Sequence, residues 1–271
     1  HSRILTLLTD FGLSDVYVGV MKGVIAGINP ALNLIDLTHQ IPPQDISLAR
    51  FALMTAFPYF PAGTIHVAVV DPGVGSPRAA IALAIGSDPA NPAGFLVGPD
   101  NGLFSGVFSQ HPIVAAIKLT NRQYWRTPEP SHTFHGRDIF APVGAHLASG
   151  VPLSALGEPI GPESLVQLDI PPLQTKGWDG TTCRITGWIQ ASDHFGNLVT
   201  NIPGSRVLDR EWSITVNGMT IPGKQTYSDS PPNSLVALVG SHGWVEIAVN
   251  HGSAAAALNL EAGDPIQMLL W

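Results

Sequence analysis

Short apolar runs alternate with helical patterns through the first two-thirds of the chain. Residues 4–8 read as a strand that runs into Thr9-Asp10-Phe11-Gly12. Residues 15–28 read as a helix stopped by Asn29-Pro30. A second strand, 34–37, ends in Thr38-His39. After Ile41-Pro42-Pro43, Asp45 is placed to cap a helix that runs to about residue 57. A third strand, 64–70, ends in Asp71-Pro72-Gly73, and residues 81–85, 95–97 and 114–119 are further strand candidates. Residues 137–148 read as a helix. This order predicts an α/β domain with a largely parallel sheet. Such sheets bind ligands at the carboxyl ends of their strands, and three strands here end in Asp10, His39 and Asp71.

The texture changes across 161–180, where prolines and glycines gather. Beyond it come short strand candidates at 184–190, 198–202, 213–216, 235–239, 244–249 and 266–270. Asn217-Gly218 marks a type I′ hairpin, because both central residues of that turn need positive φ. The expected layout is an α/β domain over 1–165, a linker over 166–180 and a smaller all-β barrel over 181–271.

Composition narrows the function classes. The chain has 28 glycines and 24 prolines, only 12% charged residues and 45% hydrophobic ones. That excludes a disordered acidic chain and fits a compact protein with many tight loops. A net charge of −7 with no Lys/Arg-rich run argues against a nucleic-acid partner. No apolar run approaches the roughly 18 residues needed to span a bilayer. The single Cys183 fits a reducing compartment, hence the cytoplasm.

Four clusters could carry chemistry. In Asp71-Pro72-Gly73-Val74-Gly75-Ser76-Pro77-Arg78, a glycine-rich turn lets Arg78 fold back over Asp71. An Asp beside a fixed guanidinium is held charged and oriented; the plainer reading is a tight turn with a structural ion pair. Thr133-Phe134-His135-Gly136-Arg137-Asp138 places a His at a helix start, where it can handle one proton near neutral pH. Asp138 has a plain reading as a first-turn helix acid. Ser192-Asp193-His194-Phe195-Gly196-Asn197 could grip a ligand with an amine and a flat base, or be simply a β-turn. Asp10 stands where nucleotide folds place a ribose-binding acid, although a helix N-cap is the plainer role and the GxGxxG pattern is absent. His132 and His135 with Asp71 could hold a metal, but His-x-x-His lacks the Glu and the i, i+4 spacing of a zinc-protease helix.

At these residues the chain resembles the S-adenosylmethionine hydrolases that form adenosine, the SAM hydroxide adenosyltransferases, whose relatives are the fluorinases and chlorinases. The matching segments are Thr9 to Gly12, Tyr17 to Ile25, Asp36 to Pro43, Val69 to Gly75, Gly98-Pro99-Asp100-Asn101-Gly102, Thr133 to Pro142 and Asp193 to Ile202. They fall in order along nearly the whole chain. The resemblance implies an α/β domain, a β-barrel domain and a homotrimer with the nucleoside site between neighbouring subunits. It implies hydrolysis of S-adenosylmethionine to adenosine and L-methionine, with no metal or organic cofactor.

Carried over by position, Asp71, Arg78 and His135 match the family's water-binding triad. Asp10 matches the ribose contact, and Asp193 and Ser241 match contacts to the methionine amine and carboxylate. Phe195 and Tyr227 match the adenine sandwich, and Asn197 with the backbone near Val249 and His251 matches the adenine edge. His242 stands where the halogenating relatives have an Arg near the methionine carboxylate. Where those relatives carry two tyrosines, this chain has Asp71 and His135. A fixed carboxylate in a low-dielectric pocket would repel a halide by several kcal/mol, as an order of magnitude, but it suits a water. The other readings are a halogenase and a nucleoside-binding module without turnover.

Overall fold

The computed structural model of the chain describes residues 4–177 and 182–271. The fold divides after Leu168 into two compact units, each with its own core. A short strand at Gln174–Lys176 lies inside the stretch read from sequence as linker. Residues 178–180 of that stretch fall outside the described residues.

The first unit is built on seven strands: β1 (Ile4–Thr9), β2 (Asn33–Thr38), β3 (Thr64–Val69), β4 (Ala80–Ile85), β5 (Gly94–Pro99), β6 (Ile113–Lys118) and the two-residue β7 (Glu158–Pro159). Their order is β2-β1-β3-β5-β4-β6-β7. The first four in that order run parallel, and β4, β6 and β7 pair antiparallel. Every residue of β3 is buried, the pattern expected of a central strand covered on both faces. Alternation then sorts its side chains. Ile65, Val67 and Val69 meet Met21 and Ile25 of helix α1 (Tyr17–Ile28) and Val143 and Leu147 of the later helix Ala141–Ala148 on one face. Ala68 faces Ala49 and Leu53 of α2 (Ile46–Ala56) on the other. Asp45 caps α2 as expected, accepting from the Leu48 amide at 2.8 Å. A one-turn helix, α3 (Ser105–Phe108), lies against α2.

The expected helix over 137–148 divides in two. Gly136–Phe140 is a π-helical turn, and the α-helix α4 runs only over Ala141–Ala148. Pro142 gives the physical reason. It has no N–H, so it cannot bond the carbonyl four residues back. That carbonyl, of Asp138, accepts instead from the Arg126 amide at 2.9 Å.

The second unit is an antiparallel, nearly closed barrel of β8 (Gln174–Lys176), β9 (Cys183–Ser192), β10 (Leu198–Pro203), β11 (Trp212–Val216), β12 (Met219–Pro222), β13 (Leu235–Val239), β14 (Trp244–Val249) and β15 (Pro265–Leu270). The order is β12-β11-β15-β9-β10-β14-β13, with β8 beside β9. A bridge between Gly223 and Ala237 brings the two ends together. Asn217 and Gly218, at φ 50° and 74°, form the β11–β12 hairpin. Alternate residues fill the barrel, Val245 and Ile247 of β14 among them. A short helix, α5 (Ala254–Leu258), is capped by Ser253 and was not anticipated from its alanine run. Among the described residues no helix is long and apolar enough to cross a membrane.

Candidate active site

In the first unit the carboxyl ends of β1 and β3 open on a cleft of about 410 Å³. Asp10, Asp71 and His135 line it, together with Phe11, Tyr17 and Phe134. Asp71 follows β3 directly, and the turn after it returns Arg78 to the same carboxylate. The Arg78 Nε donates to Asp71 Oδ1 at 3.0 Å and Nη2 donates to Oδ2, a bidentate fork. The same Nη2 lies 2.7 Å from His135 Nδ1. Because a guanidinium only donates, Nδ1 must accept, and the imidazole is the neutral form with its proton on Nε2. Burial and the Arg78 charge lower the His135 pKa below its usual value, against the opposing pull of Asp71 and Asp138. Arg78 also stacks over Phe140, 5.3 Å from the ring centre.

Contacts within and around the turn set their geometry. Gly75 has φ +78°, and a Cβ there would run into the carbonyl of His132. The glycine therefore lets the Asp71–Arg78 turn seat against the segment that carries His135. Asn101 of the Gly98–Gly102 motif donates to the Val70 carbonyl at 2.8 Å, and the Asp100 amide bonds the Ala79 carbonyl at 2.9 Å. Both ends of the turn are thus held.

Asp138 is fully buried. Burial raises its pKa, but hydrogen bonds from Arg137, Arg126 and the Ser131 amide outweigh that and hold it well below the usual carboxylate range. Its place is therefore a clamp on the 126–138 segment, beyond the expected helix-start acid. His39 is likewise a support. It is 3% exposed and lies 2.8 Å from the Thr9 hydroxyl through Nδ1 and 3.0 Å from Asp36 through Nε2. Its carbonyl takes the Gly12 amide at 2.7 Å, which fixes the turn that carries Asp10. Asp10 itself accepts from the Gln44 amide at 2.8 Å.

The aromatic wall was missed from sequence. Phe11, Tyr17 and Phe134 contact one another with ring centres 5.2–5.9 Å apart. Phe11 and Phe134 sit one residue from Asp10 and His135, which was the available signal. Among the described residues no group of three or more His, Cys, Asp and Glu is gathered closely enough to hold a metal, and this includes Asp71, His132 and His135.

In the second unit Asp193 closes the β9–β10 turn. Its carboxylate accepts from the amides of Phe195 and Asn197 and from the Asn197 side chain, each at 2.9 Å. Phe195 projects with 73% exposure. Gly196, at φ +79°, leaves room for Ser253 where a Cβ would collide. Tyr227 donates its phenol to Glu246, which is 2% exposed. Burial, that bond and the Asp193 charge raise the phenol pKa well above its usual value. His242 Nε2 lies 2.9 Å from Glu246, and its Nδ1 accepts from the Trp244 amide at 3.1 Å. Both ring nitrogens of His242 therefore have partners within the protein. Ser241 is exposed on the same β13–β14 turn. The Val249 carbonyl accepts from the Gly252 amide, and His251 sits left-handed at φ 63°. Glu246 was missed from sequence, although it is the only acid in the apolar run of β14.

Two family models match the chain. The SAM hydroxide adenosyltransferase N-terminal domain covers residues 5–157, and the C-terminal domain of the same family covers residues 187–267. The chain is 41% identical to an (R)-S-adenosyl-L-methionine hydrolase of Salinispora tropica over 97% of each chain. It is 39% identical to a hydrolase of the same name from Thermus thermophilus, over 98% of this chain and all of that one. A fluorinase of Nocardia brasiliensis is more distant, at 26% identity over 98% of this chain and 96% of its own. An uncharacterized conserved protein from Thermotoga maritima of solved structure superposes with a TM-score of 0.87 at 34% identity, covering 97% of this chain and 99% of that one. Family models and full-length relatives agree, and the chain belongs to the SAM hydroxide adenosyltransferase family.

Proposed function

We propose that this protein hydrolyses S-adenosyl-L-methionine to adenosine and L-methionine by attack of water on C5′. The observation that carries the reading is the single Arg78 nitrogen group that meets both Asp71 and His135 at the wall of one cleft. The hydrolase relatives at 39–41% identity support it independently.

The sulfonium departs as a neutral thioether and needs no acid. Water is the weak partner. The reaction releases one proton, which the carboxylate of Asp71 is suited to accept. Arg78 fixes that carboxylate, and the neutral His135 offers its Nε2–H to orient the water. Placement of water in line with C5′ supplies several kcal/mol, and proton removal contributes about 10²–10⁴-fold. A carboxylate at this wall also disfavours a halide nucleophile.

The same proposal assigns Asp10 to the ribose hydroxyls and Phe195 with Tyr227 to the faces of adenine, where stacking contributes about 1–3 kcal/mol per base. Asn197 and the backbone of Val249 and His251 meet the adenine edge. Asp193 takes the methionine amine and Ser241 the carboxylate, with His242 behind Ser241. Homotrimeric assembly, turnover without a metal and cytoplasmic residence belong to this proposal. They rest on the family resemblance and on the buried, single Cys183.

The test is incubation with S-adenosylmethionine and chloride in ¹⁸O-water, followed by chromatography with mass detection. Adenosine carrying ¹⁸O, with methionine, is the expected result, unchanged by a chelator. A 5′-chloro product would overturn the assignment of Asp71 and His135. Intact substrate retained by the protein would favour a binding module.

A further inference from the structure

Glu246 is a buried carboxylate with no place in the water chemistry. It lies on β14 between Val199 of β10 and Leu238 of β13, its cross-strand partners, and both of these are buried. A charge among aliphatic side chains is costly unless it is hydrogen-bonded, and this one is bonded on both oxygens. Oε1 takes the Tyr227 phenol and Oε2 takes His242 Nε2. Tyr227 belongs to a single-turn helix, Tyr227–Asp229, and His242 to the tight β13–β14 turn. Glu246 bonds one side chain from each of those segments. Gly240 adds room, since a Cβ there would collide with Glu246 and His242.

We propose that Glu246 is a positioning residue for substrate recognition, orienting the Tyr227 ring and the Ser241-His242 turn through one buried carboxylate. The proposal rests on the substrate contacts assigned above. Tyr227 is 42% exposed even though its hydroxyl is tied down, so one ring face is presented at a fixed angle. His242 spends its one N–H on Glu246 and its other nitrogen on the Trp244 amide. It therefore acts as a strut for the turn, and recognition of the substrate carboxylate passes to Ser241 and the turn backbone. His242, at the position where the resemblance places an arginine in the halogenating relatives, is turned inward here.

The experiment compares steady-state hydrolysis by Glu246→Ala, Glu246→Gln and Tyr227→Phe, with thermal melting as the control for folding. Glu246→Ala removes both bonds and is expected to raise KM about tenfold with kcat within about twofold, the loss of one charge-assisted hydrogen bond's worth of alignment. Glu246→Gln is expected to restore KM to within about threefold. Its amide can still accept from His242 and donate to the tyrosine oxygen. Tyr227→Phe, which keeps the carboxylate and the fold, is expected to raise KM by about threefold to tenfold, and adding it to Glu246→Ala is expected to change little further. A lowered melting temperature with KM unchanged across the series would overturn the proposal, as would independent, multiplying effects of the two sites. If Glu246→Ala fails to fold, Tyr227→Phe and Glu246→Gln still decide it. Absence of hydrolysis by the native protein would remove the proposed reaction instead. The same variants would then be read by their affinity for adenosine, where an unchanged Kd overturns the role of Glu246.

Discussion

Each unit carries a three-membered polar cluster among its proposed substrate contacts, and these two are built in opposite senses. In the first unit the centre is a cation. Arg78 donates to Asp71 and to His135 Nδ1, so the members around it are acceptors, and both line a cleft. In the second unit the centre is an anion. Glu246 accepts from Tyr227 and from His242, so the members around it are donors whose protons are already used. In the proposed reaction the arginine-centred cluster keeps a carboxylate at the cleft wall to receive the proton of water. A carboxylate-centred cluster uses up its protons and leaves only shape, an aromatic face and a fixed turn. A carboxylate and an imidazole occur in both clusters, and the group at the centre separates the chemical role proposed for one from the positioning role proposed for the other.

The comparison predicts that damage to the first cluster appears in kcat and damage to the second in KM. The largest effect is expected from Asp71→Asn, which keeps shape and removes the proposed proton acceptor. Adenosine release should fall about 10²–10⁴-fold, while adenosine affinity measured by calorimetry stays within a few fold. Equal loss of both would make Asp71 a folding residue and end the contrast.

Asp138→Ala should destabilise the first unit by about 1–3 kcal/mol, because Arg126, Arg137 and the Ser131 amide lose their common acceptor while the two guanidiniums keep partial access to solvent. Denaturant unfolding measures it. The sign with pH follows from the depressed Asp138 pKa. Its contribution is complete above the ordinary carboxyl value of about 4 and is lost as pH falls below it. Stability that does not fall further in the native protein than in the variant on acidification would contradict the clamp.

Phe195→Ala should weaken adenosine binding about tenfold, within the range for one stacked base, and leave kcat nearly unchanged. A matching loss of kcat would blur the division between the clusters.

The smallest effect is a pH profile. Burial and Arg78 depress the His135 pKa below its ordinary value of about 6.5. Protonation would put a second N–H against a guanidinium that only donates. kcat/KM should therefore hold level from about pH 8 to pH 6.5 and decline only below that, by no more than about tenfold per pH unit. A decline that begins above pH 7 would place His135 elsewhere in the mechanism.

Local chemistry was readable wherever the partners are close in the chain. The Asp45 cap, the Asn217-Gly218 turn and the return of Arg78 onto Asp71 each depend on residues within one turn. The end of the π-helical turn was readable in principle from Pro142, whose missing N–H is a local property. His39 was read with the strand-end acids because strand position alone does not say which side chains point into a cleft. Burial turned it into a support for Thr9.

The two architectures, the turns and the residue types offered at the strand ends follow from near neighbours in the chain, which set backbone preference and hydrophobic alternation. Which of those residues meet is settled by the packing of distant segments. His135 reaches Arg78 across 57 positions and Tyr227 reaches Glu246 across 19. Whether a carboxylate faces water, a guanidinium or two donors is fixed by groups brought from such distances. Desolvation and hydrogen-bond partners, which set its chemistry, exist only once the chain has folded.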